Sequence, residues 1–136
     1  MLTDEIRENL IQTALEARKW AYVPYSKYAV GAALLTSSGR IYDGVNIENA
    51  AYPVTICAER VAVFKAVSEG ERQFAAIAVV TSNGGAPCGS CRQVLAEFGL
   101  DTRVLIAEEH GTLVRELSVS ELLPGAFTPE YLPSQD

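Results

Sequence analysis

Three cysteines constrain this chain more than any other feature, because two form a C-x-x-C and the third lies in a separate segment. The segments read I-C-A-E-R at Ile56 to Arg60 and P-C-G-S-C-R-Q at Pro87 to Gln93. Each falls where a loop gives way to a helical pattern. A C-x-x-C at a helix start sets two sulfurs about one turn apart, close enough to share one zinc ion. The chain must then fold so that a neighbouring helix start brings Cys57 to Cys88 and Cys91.

Three thiolates leave one tetrahedral position open, and there is no fourth cysteine. Structural zinc sites are closed by four protein ligands, whereas catalytic ones keep a position for water. The count therefore favours catalysis. Glu59 lies two residues after Cys57, in the first helical turn, where it is near the metal without being a ligand. That is the place for a proton shuttle. Zinc with three thiolates carries a net charge of about -1, which weakens its pull on water. Two helix N-termini offset this with roughly half a unit of positive charge each. Arg60, next to Glu59, is placed to donate hydrogen bonds to the thiolates and restore Lewis acidity.

Other readings of these residues differ in kind. A C-x-x-C alone also serves as a redox pair, but Glu59 and the third cysteine have no part in that. Cys57 alone would read as a small buried hydrophobe. His110, the only histidine, sits in the polar turn E-E-H-G-T and reads as solvated rather than as a ligand. Ser90 has no histidine nearby, so a serine triad has no support.

Periodicity places the rest. Residues from about Thr3 to Trp20 read as an amphipathic helix, with Ile6, Leu10, Ile11, Ala14, Leu15 and Ala17 at helical spacing and Thr3 as its cap. Pro24 ends it. Tyr28 to Leu35 and Ile41 to Ile47 read as strands joined by a turn with Gly39 at positive φ. A helix is expected from about Cys57 to Glu69, capped by Thr55 or a neighbour. Ala75 to Thr81 is a continuous apolar run that suits a strand covered on both faces. A helix over Gly89 to Phe98 precedes a buried strand at Arg103 to Ala107. The link to Leu113–Leu117 is too short for a parallel crossover, so this last pair is antiparallel. Ser118 or Ser120 starts a short helix through Leu123. The expected architecture is α/β, with a mixed five-stranded sheet between helices on both faces.

The 136 residues read as one domain over 1–136. Hydrophobic residues make up 49% and charged residues 21%, which marks a globular chain rather than a disordered one. Net charge is -6 and the basic residues are scattered, which argues against long nucleic acid as a partner. No run of about 18 apolar residues predicts a membrane span. The acidic N-terminus M-L-T-D-E-I-R-E-N-L does not resemble a signal peptide, so a cytoplasmic location with reduced thiols is expected.

C-A-E followed by P-C-x-x-C resembles the zinc deaminase signature, with cysteine in place of its first histidine. The chain is most similar to the small homotetrameric cytidine deaminases. The resemblance runs through A-Y-V-P-Y-S-K-Y-A-V-G-A-A-L, G-V-N-I-E-N-A-A-Y, C-A-E-R, P-C-G-S-C-R-Q and L-L-P-G-A-F. It implies the three-layer α/β/α fold of that family. It implies hydrolysis of free cytidine and deoxycytidine to uridine and deoxyuridine, with loss of ammonia, in pyrimidine salvage. Cys57, Cys88 and Cys91 would hold one Zn2+ per subunit, with Glu59 as proton shuttle. Asn46 and Glu48 would grip the ribose 3′-hydroxyl, and the Ala58 amide the base carbonyl. Tyr28 stands where the family usually has phenylalanine near the base. Tyr52 and Phe127 would reach a neighbouring subunit's site in a homotetramer. The loop S-N-G-G-A-P before Cys88 is shorter than in many relatives.

Three rivals are distinguishable. A blasticidin S deaminase shares the metal motifs but is expected to lack N-I-E-N. A nucleic-acid-editing deaminase would want a basic groove and a histidine ligand. A non-catalytic zinc-structured binding protein has no use for Glu59.

Overall fold

A computed structural model describes residues 2–133. The chain runs α1 (Asp4–Arg18), β1 (Gly31–Thr36), β2 (Ile41–Val45), α2 (Ala58–Ser68), β3 (Phe74–Val80), α3 (Gly89–Glu97), β4 (Arg103–Ala107), β5 (Leu113–Ser118) and α4 (Val119–Leu122). Short 3-10 turns cover Tyr52–Val54 and Pro129–Tyr131. Thr3 caps α1 as expected, its side chain accepting from the Ile6 amide at 3.1 Å.

The sheet order is β2-β1-β3-β4-β5. Only β3 and β4 are parallel; β4 and β5 are antiparallel, as the short link between them demands. Strand alternation divides the core in two. On one face Ala33, Ala76, Ala78, Val80, Leu105 and Ala107 pack under Leu10, Ile11 and Ala14 of α1. On the other, Ala32, Leu34, Ile77, Val79, Val104 and Ile106 meet α2, α3 and α4 through Ala62, Val63, Leu95 and Val119. The result is the expected three-layer α/β/α arrangement. Gly39, at φ 93°, closes the β1–β2 hairpin.

Gly44 decides how close α2 comes to the sheet. A Cβ there would fall 2.7 Å from the Ala62 amide nitrogen and closer still to the Ala58 carbonyl oxygen. The first turn of α2, which carries Glu59, therefore lies directly against β2.

Two expectations need correction. Thr55 does not cap α2: Cys57 occupies the cap position, and Thr55 Oγ1 instead accepts from the Asn49 amide at 3.0 Å. The strands are also shorter than Tyr28–Leu35 and Ile41–Ile47. Asn46 explains both ends. Its Oδ1 accepts from the Val30 amide at 2.9 Å and its Nδ2 donates to the Tyr28 carbonyl at 2.8 Å. A side chain thus serves backbone groups that a ladder would otherwise pair. For the short last helix the choice falls on Ser118, which forms a capping box with Glu121.

Candidate active site and metal centre

The parallel pair β3–β4 and its flanking helices set two helix starts side by side. Cys57 is the N-cap of α2 and Cys88 the N-cap of α3, and neither side chain makes a capping bond. Cys91 lies one turn into α3 and is fully buried. Cys57 Sγ is 3.7 Å from Cys88 Sγ, and Cys88 Sγ is 3.4 Å from Cys91 Sγ. All three sulfurs lie within 4.8 Å of one another. A tetrahedral zinc with bonds of about 2.3 Å needs sulfurs about 3.8 Å apart, so the triangle fits the ion. His110 is exposed in its turn and stands outside the cluster.

The electrostatics agree with that fit. Cys57 is brought down to about 5 by a hydrogen bond from the Cys91 thiol, against the effect of burial and with help from Arg60. Cys91 is pushed up, by the same bond first and then by burial and the Glu59 charge. Arg60 Nη2 lies 3.3 Å from Cys57 Sγ. Its Nε is buried without a hydrogen-bond partner among the described residues, which leaves positive charge available to an anionic metal cluster. Arg92 donates to the carbonyls of Pro87 and Leu122, both at 2.8 Å.

Glu59 is only 5% exposed. Burial pushes its carboxyl up to about 7; its own backbone amide opposes this, while the Cys57 charge adds to it.

A cavity of about 270 Å³ opens above the cysteines. Cys57, Ala58, Glu59 and Cys88 line it together with Tyr28, Asn46 and Glu48. These seven residues of the sequence reading therefore meet at one cavity. Tyr52 lines an adjoining depression that shares Ser26, Glu48 and Thr55, and its ring meets Tyr25 edge-on at 5.9 Å. Phe127 lines neither; it is exposed and stacks on Tyr131 at 5.8 Å.

The Glu48 carboxylate accepts from the Tyr25 amide at 3.0 Å, the Ser26 amide at 3.1 Å and the Ser26 hydroxyl. The Ser26 hydroxyl, ahead of the two amides, keeps that carboxyl below its ordinary value. Ser26, Thr81, Asn83 and Gly85 were absent from the sequence reading of the site. Ser26 falls within A-Y-V-P-Y-S-K-Y, but nothing in spacing alone ties it to Glu48.

The fold and site together define a zinc-dependent hydrolase. Residues 4–108 match the cytidine and deoxycytidylate deaminase zinc-binding region. The chain is 55% identical over 127 residues to a cytidine deaminase of Halalkalibacterium halodurans, covering 91% of this chain and 96% of that one. It is 53% identical to a cytidine deaminase of Sporosarcina psychrophila, over 92% of this chain and 93% of that protein. Among solved structures, a cytidine deaminase from Burkholderia pseudomallei superposes with a TM-score of 0.84 at 46% identity, covering 93% of this chain and all of that one. The cytidine deaminase of Mycobacterium tuberculosis gives 0.80 at 40% identity, over 93% of this chain and 98% of that one. This chain belongs to the cytidine and deoxycytidylate deaminase family.

Proposed function

We propose that this protein hydrolyses free cytidine and deoxycytidine to uridine and deoxyuridine, releasing ammonia. The observation that carries the reading is the buried Glu59 beside three converging thiols, at the floor of a cavity edged by Asn46 and Glu48. Cys57, Cys88 and Cys91 would hold the zinc. When bound, the ion would supply Lewis acidity, making a water easier to deprotonate near neutral pH. Glu59 takes one proton from the attacking water and delivers it to ring N3 as the oxygen bonds to C4, then takes that oxygen's second proton and gives it to the C4 amine, which leaves as ammonia when the C4–N bond breaks.

Hydrogen-bond accounting supports the ribose grip. Asn46 spends one N–H on the Tyr28 carbonyl and keeps the other. Glu48 has about four lone-pair sites and uses three. One donor and one acceptor remain, which is what a hydroxyl needs. The N–H of Ala58, the first residue of α2, is among the groups that a helix leaves unpaired, which suits it to the base carbonyl. Tyr28 presents its ring to the base.

The exposed Tyr52 and Phe127 suit contacts that complete a neighbouring site in a homotetramer. Sedimentation as a monomer at assay concentration would remove that part. Among the described residues no helix is long and apolar enough to cross a membrane. Pyrimidine salvage in the cytoplasm is the setting this chemistry fits.

The test pairs a zinc assay with loss of the ultraviolet absorbance of cytidine, deoxycytidine and blasticidin S. Glu59→Gln is expected to retain zinc and lose about 10²–10⁴-fold in kcat. Near-parental turnover in that variant, or a preference for blasticidin S, would overturn the assignment.

A further inference from the structure

Between β3 and Cys88 the chain crosses one wall of the cavity without regular structure. Its polar groups are nonetheless ordered. Tyr28 Oη donates to Asn83 Oδ1 at 2.7 Å. Thr81 Oγ1 donates to the same oxygen at 3.4 Å, and the Gly85 amide donates to Thr81 Oγ1 at 2.9 Å. A Cβ at Gly85 would lie 2.6 Å from Tyr28 Oη, so the tyrosine hydroxyl occupies the space a side chain would need. Tyr28, Thr81, Gly85, Ala86 and Cys88 all line the cavity. The hydroxyl that donates to Asn83 therefore belongs to a ring that itself forms part of the wall.

We propose that Tyr28 is a positioning residue, its hydroxyl latching the 81–87 loop so that the Gly85–Ala86 wall is set before a nucleoside enters. This rests on the deaminase reading above. The loop contains Gly84 and Gly85, and glycine pairs have much backbone freedom to lose. With the latch made, that freedom is already gone. With it broken, substrate binding must order the loop, and apparent affinity drops by the fraction of molecules that are competent. The hydroxyl has no role in proton transfer, so the loss falls on KM and not on kcat.

Four variants test the latch: Tyr28→Phe, Asn83→Ala, the two combined, and Asn83→Asp, which keeps the acceptor oxygen. The readouts are KM and kcat for cytidine, and amide hydrogen exchange at Gly85 in the resting protein. Tyr28→Phe and Asn83→Ala are each expected to raise KM about three- to tenfold, the range for loss of one hydrogen bond. The double variant should lose no more than the larger single one, because both remove the same bond. Gly85 exchange should quicken in all three, and Asn83→Asp should stay near the parent. A parental KM with parental exchange in Tyr28→Phe overturns the latch. So do additive losses in the double variant, or a loss confined to kcat. If the parent itself does not turn over cytidine, the deaminase reading fails separately. Exchange at Gly85 then still decides the latch, for it if faster and against it if unchanged.

Discussion

Arg60→Gln isolates the charge balance of the metal centre. Three thiolates and one Zn2+ would sum to -1, and the Arg60 guanidinium, with Nη2 3.3 Å from Cys57 Sγ, would bring the cluster to neutrality. At that spacing an effective dielectric of about 20 gives roughly 5 kcal/mol between unit charges. That figure is an upper bound. The guanidinium is partly exposed, and both charges are delocalised over several atoms. A charge-assisted hydrogen bond contributes about 1.5–3 kcal/mol, or about ten- to hundredfold in an equilibrium constant. Loss of a partner that orients a metal ligand falls in the same range, about 10–100-fold in affinity. Arg60→Gln should therefore raise the zinc dissociation constant about 10–100-fold. A competition titration against a fluorescent chelator at fixed pH measures this without reference to turnover. Arg60→Lys restores the charge but not the planar fork, and should fall between parent and Gln. Zinc affinity within about twofold of the parent in Arg60→Gln would refute the charge argument, since this bond sets a cation directly on a candidate metal ligand.

Two further expectations concern the scaffold. Gly44→Ala drives a Cβ into the backbone of α2, which cannot give way as a flexible side chain would, so about 3 kcal/mol of stability should be lost in urea unfolding. A loss under about 0.5 kcal/mol would mean that α2 slides freely over β2. Glu116 is held below the usual carboxyl range chiefly by its hydrogen bond with Arg7, at 2.7 Å, with Arg103 adding to it. A lowered folded pKa contributes stability that is present above the unfolded value of about 4.3 and disappears as pH falls through the folded one. The urea midpoint should therefore decline as pH falls below about 5, and less steeply in Glu116→Gln; equal slopes would remove Glu116 from the account.

What the sequence revealed and what it hid follow from the range of the interactions involved. Cys57, Cys88, Cys91 and Glu59 were legible because their chemistry depends on residue type and on position within a single helical turn. The antiparallel β4–β5 pair was legible because a short link excludes a crossover. Asn46 is proposed as a ribose contact through resemblance alone. Its second task, capping the backbone of Tyr28 and Val30, was not, because that bond spans 16 residues and no local pattern announces it. Thr55 failed as a cap for a related reason. The cap position of α2 carries a cysteine whose sulfur makes no capping bond, so the local rule for Ser and Thr yields where the same atom faces two other thiols. Tyr28 and the short S-N-G-G-A-P loop look like two unrelated departures when read along the chain. In the fold they are one feature. The added hydroxyl meets Asn83 across 55 residues, and Gly85 leaves room for it. The Tyr28 hydroxyl and the Gly85 position without a Cβ fit one another, which neither residue shows when read alone.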